Sequence, residues 1–193
     1  SSKRSLLKVR GSWMLAWKRR WRWWGKWWEW IKKLWIRNME LEIIPLQKKH
    51  LDRLVELAWE FDDYLQSLSS EKRDAFDNTK QRERLLRYWF WEEKSFSWYV
   101  AEIDGTTVGY ALYHYGFDPD EMQWKVIYLI DFFVSEKARW KWAGRALIER
   151  LQSHEDSIGL YFGVWKKNIW AIEFYKNIWA EWCEDVPFMK LMK

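Results

Sequence analysis

Residues 125–154 run from an apolar strand through a short basic connection into an amphipathic helix, and this order constrains the fold more than any other stretch. KVIYLIDFFV, 125–134, has the length and the β-branched and aromatic content of a buried strand. From 142 to 154 the apolar residues recur at helical spacing instead. A strand passing into a helix through only a few residues must lay that helix against its own sheet. The N–H groups of the helix's first turn have no intrahelical partner and carry the positive end of the helix dipole, so they hold a diphosphate well. Lys137, Arg139, Lys141 and Arg145 add positive charge there, and small residues let backbone approach phosphate closely. The plain alternative is a basic helix start with no ligand.

The remaining pattern extends this into a mixed α/β order. Residues 40–45 read as a strand ended by Pro45, and Leu51, Leu54, Val55, Ala58, Phe61 and Leu65 then recur at helical spacing. A second helix is expected over 71–90. Strands at 97–103 and 106–115 flank an Asp104-Gly105 turn, a strong hairpin signal. A strand at 158–164, a helix at 168–178 and an antiparallel pair between 180 and 192, broken near Pro187, complete the series. The hairpin argues for a mixed sheet over an all-parallel one.

Three segments carry a family resemblance. In DFFVSEKARWKWAGRAL, 131–147, Arg139 and Gly144 resemble the acyl-CoA signature of the GNAT acyltransferases, which is Gln or Arg, two residues, Gly, one residue, Gly or Ala. In VWKKNIWAIEFYKNIWA, 164–180, Asn168, Ala171, Phe174, Tyr175 and Ala180 are similar to the family's Asn, Ala, Phe-Tyr, Gly-Ala pattern. Periodicity alone would make Ala171, Phe174, Tyr175 and Ile178 the core face of a helix. Residues 108–134 resemble the spermidine/spermine and thialysine N-acetyltransferase branch, through the Asp118-Pro119 turn and the strand YLIDFFV. That branch has a glutamate where this chain has Ile130. The resemblance spans about residues 39–193.

It implies a GNAT α/β fold with a mixed, mostly antiparallel sheet flanked by helices, and acetyl-CoA as co-substrate in transfer to a primary amine. By resemblance Tyr175 is the acid that protonates the leaving thiolate. Backbone N–H groups near Phe133 and Val134 would hold the thioester carbonyl, as an oxyanion hole does. Arg139, Trp140, Lys141, Trp142, Ala143, Gly144 and Arg145 would form the diphosphate loop, and Asn168 would fix the pantetheine or neighbouring backbone. Asp131 matches a substrate-side acid and would bind an ammonium or relay its proton. Since neighbours on a strand face opposite ways, Asp131 is not expected in the missing glutamate's position. Asp118, with Glu60, Asp62 and Asp63, would line an acidic groove for a polyamine, although charge clusters are more often solvated faces.

Charge is segregated along the chain. Residues 1–38 hold twelve Lys/Arg against one acid, while 39–193 hold 21 against 27, a net of −6. An acidic domain suits a cationic substrate, and it serves solubility equally well. The N-terminal stretch is basic, carries nine tryptophans and has no uninterrupted apolar run, so it reads as neither signal peptide nor membrane span. It is expected to be disordered or foreign to a domain starting at Met39. Taken literally it could lie at a membrane surface or stack on nucleic acid bases, so a non-catalytic GNAT-like module or such a binder is the contrasting reading. No nucleic acid is expected for 39–193, and a homodimer is compatible with the family. Cys183 is the single cysteine, which suits a reducing cytoplasm. His50, His114 and His154 show no metal-ligand spacing.

The chain has 20 tryptophans against 8 glycines. Trp124, Trp140, Trp142, Trp170 and Trp179 all fall where the family readily carries glycine. Glycine and tryptophan are steric opposites, so drift explains this poorly. A UGA codon taken as Trp but decoded as glycine in the source would account for it, and UGG at 140, 142 and 179 would rule it out.

Overall fold

A computed structural model describes residues 4–10, 40–69, 77–90, 94, 96–118 and 124–183, with the side chains of 4–10, 88–89 and 140–141 outside that description. Among these residues seven strands form one sheet: β1 (Arg4–Arg10), β2 (Leu41–Pro45), β3 (Ser97–Ile103), β4 (Thr106–Phe117), β5 (Lys125–Val134), β6 (Gly159–Trp165) and β7 (Glu181–Trp182), in the order β2-β3-β4-β5-β6-β1-β7. Among the described residues four α-helices accompany it: α1 (Leu51–Leu68), α2 (Asn78–Trp89), α3 (Ala143–Gln152) and α4 (Ile169–Asn177). All neighbouring strands run antiparallel except β5 and β6. The expected mixed, mostly antiparallel α/β sheet is what the chain forms.

The core lies on both faces of this sheet. On one face Leu147, Ile148 and Leu151 of α3 pack with Ile172 and Tyr175 of α4 over Ala111, Tyr113, Ile127, Leu129 and Phe162. On the other, Leu51, Leu54, Val55 and Leu57 of α1 meet Trp98, Val100, Tyr110 and Phe133. The β3–β4 hairpin turns at Asp104 and Gly105, both at positive φ, as a two-residue turn with the strands' own twist requires.

Helix α2 begins at Asn78, because the Asp77 carboxylate caps it by accepting from the Thr79 and Lys80 amides. Residues 71–76 of the expected helix lie outside the described residues. So do 184–193, which include Pro187 and most of the expected final strand. β1 was not expected. Residues 4–10 pair antiparallel with all seven positions of β6 and join β7 on their other side.

Candidate active site

The parallel strands β5 and β6 pair only at Ile127–Leu160, Tyr128–Tyr161 and Leu129–Phe162, and then part. Beyond Leu129, β5 continues for five residues along β4 alone. The Ser135 amide donates to Val108 O on β4. Because successive amides on a strand point to opposite edges, the Val134 N–H is directed into the gap and the Phe133 N–H toward β4. Of the two amides expected to hold a carbonyl, only that of Val134 faces the opening. An opening at the carboxyl ends of parallel strands is where open α/β sheets take their ligands.

Helix α3 starts at that same end. Its first intrahelical bond runs from Ala146 N to Trp142 O, which leaves the amides of Ala143, Gly144 and Arg145 without helical partners. Gly144 packs against the site's aromatic wall: a Cβ there would make ordinary contact, 3.4 Å from Phe132 Cζ and 3.5 Å from Phe174 Cζ, two rings that stack at 5.9 Å. Arg139 donates from Nε to Val134 O at 3.4 Å and lays its guanidinium 4.9 Å from the centre of the Tyr64 ring. Arg145 is engaged with Glu149 Oε1 at 2.9 Å along the helix.

This backbone fits a diphosphate, with three unpartnered amides beside an arginine. Trp142 is the misfit within it. It takes φ 64° and ψ −1°, the left-handed conformation that costs an L side chain most and glycine least. The side chains of Trp140 and Lys141 lie outside the described residues.

Tyr175 of α4 packs against both of the parting strands. Its ring lies 4.2 Å from that of Phe162 on β6 and 6.2 Å from that of Phe132 on β5, and it is only 6% exposed. Burial first, and then the charge of Asp131, push its phenol well above the ordinary tyrosine value. It therefore stays protonated throughout the working pH range. Among the described residues its hydroxyl has no hydrogen-bond partner, so its proton is available to a ligand.

A bulge in β5 sets Asp131. Leu112 faces Asp131 while Tyr113 faces Leu129, so Ile130 is an extra residue in the strand. The alternation that set Asp131 opposite to position 130 fails here. Asp131 instead turns to the α1 face, where Tyr110 Oη donates to its Oδ2 at 3.1 Å, and its Oδ1 accepts from its neighbour Phe132 N at 2.9 Å.

The other expected acids take different places. Asp118 is 4% exposed and accepts from Tyr161 Oη at 2.6 Å. It sits past the opposite end of the β4–β5 pair, where Phe117 faces Lys125, six residues down-chain of Leu112, the partner of Asp131. It is a buried turn residue, and the expected groove with Asp131 does not form. Glu60 accepts from Arg53 Nη2 at 3.0 Å and lines a cleft of about 340 Å³ with Arg53, Val55, Glu56, Trp59 and Asn78, none of them from β5. Asp62 accepts from Gln66 Nε2 at 2.7 Å, one turn along α1.

Asn168 is the N-cap of α4. Its Oδ1 accepts from Ala171 N at 3.1 Å and from Tyr64 Oη at 2.7 Å, so it fixes the start of α4 and ties it to α1. Sequence reading missed Tyr64 and Tyr110. Tyr64 falls outside the apolar stripe of α1, and Tyr110 looks like any aromatic of a buried strand.

The acetyltransferase (GNAT) family matches residues 54–178, from α1 to the end of α4. The chain belongs to this family. Among solved structures it is similar to an integron cassette protein from the mobile metagenome of V. cholerae, with TM-score 0.66 and 22% identity over 79% of this chain and 93% of that one. It is similar also to an aminoglycoside N-acetyltransferase in complex with CoA, with TM-score 0.62 and 16% identity over 80% and 97% of the two chains. A third is a ribosomal-protein-alanine N-acetyltransferase from Brucella melitensis biovar Abortus 2308, with TM-score 0.59 and 17% identity over 79% and 99%. At these identities the likeness is one of fold. No curated protein matches the chain by sequence. No helix among the described residues is long and apolar enough to cross a membrane.

Proposed function

We propose that this GNAT protein transfers an acetyl group from acetyl-CoA to a primary amine on a small molecule, with a di- or polyamine as the first acceptor to try. The observation that carries this is the parting of β5 and β6, with the Val134 amide, the start of α3 and the Tyr175 phenol all meeting at the gap. Acetyl-CoA bound there supplies an acetyl group already activated as a thioester.

The chain's own groups then have separate tasks. The amides of Ala143, Gly144 and Arg145, with Arg139, hold the diphosphate. The Val134 N–H holds the carbonyl oxygen where negative charge develops. Tyr175 keeps a proton at the leaving sulfur, and burial ensures that it has one to give. Asp131, anchored by Tyr110, receives the acceptor's ammonium or takes its proton through water. A cytoplasmic setting, with its reduced thiols and acetyl-CoA, suits both this chemistry and the free Cys183.

Aminoglycosides carry the same primary ammonium groups, and the likeness to an aminoglycoside N-acetyltransferase makes them the second acceptor class. The test is acetyl-CoA binding by calorimetry, followed by thiol release with spermidine, an aminoglycoside and a peptide with a free N-terminus. Trp140→Gly with Trp142→Gly should strengthen acetyl-CoA binding at least about tenfold, or about 1.4 kcal/mol. Unchanged affinity, with no turnover of any amine, would refute the reading.

A further inference from the structure

We propose that Tyr64 is a positioning residue for the acetyl-CoA site, tying α1 to both of the site's motif segments at once. Its hydroxyl donates to Asn168 Oδ1 at 2.7 Å, across 104 residues of sequence, and Asn168 is the cap that fixes the first turn of α4. Its ring supports the Arg139 guanidinium at 4.9 Å, while Arg139 Nε holds Val134 O. One side chain thus sets the spacing between the diphosphate loop, the end of β5 and the helix that bears Tyr175. Burial raises the Tyr64 pKa while the Arg139 charge opposes that rise, as expected for a phenol held against a guanidinium in a partly dry site.

This inference rests on the acetyltransferase reading, and two substitutions separate its parts. Tyr64→Phe keeps the ring under Arg139 and loses the bond to Asn168. It should lower kcat at least about threefold, through Tyr175 on α4, and leave the KM for acetyl-CoA unchanged. Tyr64→Leu loses the ring as well, and should also raise the KM for acetyl-CoA at least about twofold. A residue that only supports the fold would lower the melting temperature without this split. Hydrogen exchange at the Ala171 amide gives a readout independent of turnover, since a released Asn168 caps it less well. Unaltered kinetics and exchange in both variants would overturn the proposal. If the unsubstituted protein turns over no amine, the acetyltransferase reading fails, and exchange alone decides whether Tyr64 makes the tie.

A different observation carries a second inference independently. Among the described residues three non-glycines have positive φ, Asp104, Trp142 and Trp179, and two of them are tryptophans. At the end of α4 the Ala180 amide bonds to Tyr175 O and the Trp179 amide to Lys176 O, both at 3.0 Å. These paired bonds form the Schellman closure, whose left-handed residue is usually glycine, and here it is Trp179 at φ 68°. We infer that in its own cells the protein carries glycine at 142 and 179, through UGA codons decoded as glycine. The gene should show UGA at both positions, and peptides of the protein from those cells should have the mass of glycine there. UGG codons, or tryptophan in those peptides, would overturn this.

Discussion

Replacing Trp179 by glycine should stabilise the protein, whereas the same replacement at Trp170 should destabilise it. The two residues are alike in exposure, 66% and 71%, and both belong to the α4 segment. They differ in backbone: Trp179 is left-handed at φ 68°, whereas Trp170 lies in the first turn of the helix. A left-handed L-residue costs about 1–2 kcal/mol, and glycine returns part of that through the greater freedom of its unfolded chain, which leaves a net gain of about 1 kcal/mol. About a third of the Trp179 side chain is covered, little beyond what an unfolded chain already covers, so burial does not reverse the sign. At Trp170, glycine's poorer helix propensity costs about 0.5 kcal/mol instead. For a chain of this size, each 1 kcal/mol moves the melting temperature by about 2–4 °C. Calorimetric melting should therefore separate the two variants by about 3–6 °C, with the parent between them. Equal losses in both would refute the backbone argument.

With glycine at 142 and 179, Tyr175→Phe should lower kcat by about 10²–10⁴ and leave acetyl-CoA affinity nearly intact, since only the proton donor is lost; full activity would reassign Tyr175 to the core. Asp131→Asn should raise the KM for di- and polyamines by the equivalent of about 1.5–3 kcal/mol, and unchanged steady-state constants with every small amine would point to a protein acceptor. Burial, with Arg150 and Lys125 adding to it, lowers the His154 pKa below 6.5. The folded state then binds fewer protons than the unfolded one just below that value, so stability present above it falls as pH drops from 6.5. His154→Asn should flatten that fall in denaturant titrations at pH 7 and pH 5.5, and an unchanged slope would assign it to other groups such as His50.

The order of elements was legible because each rests on local pattern: the Asp104-Gly105 hairpin, the apolar run of β5 and the helical spacing of α1. Of the candidate site, the sequence marks only what a motif carries, at Arg139, Gly144 and Tyr175. The bulge at Ile130 left no mark in a uniformly apolar strand, yet it decides where Asp131 points. Asp118 reads in the sequence as an acid of a polyamine groove, because nothing nearby announces Tyr161 as its partner 43 residues on. Asn168 and Tyr64 meet across 104 residues, a distance at which periodicity says nothing. β1 escaped notice because a short basic stretch lacks the alternation that marks a half-buried strand.

β1 lies between β6 and β7, so it is an interior strand although it comes first in the chain. Trimming the protein back to Met39 would uncover the backbone of β6 at all seven positions from Gly159 to Trp165 and leave β7 without its neighbour. An open strand edge of that length is a template for other chains, and it lies on the side of β6 away from β5. Aggregation or lost activity after such trimming would come from a missing slat in the sheet, and not from the loss of a membrane or nucleic acid partner.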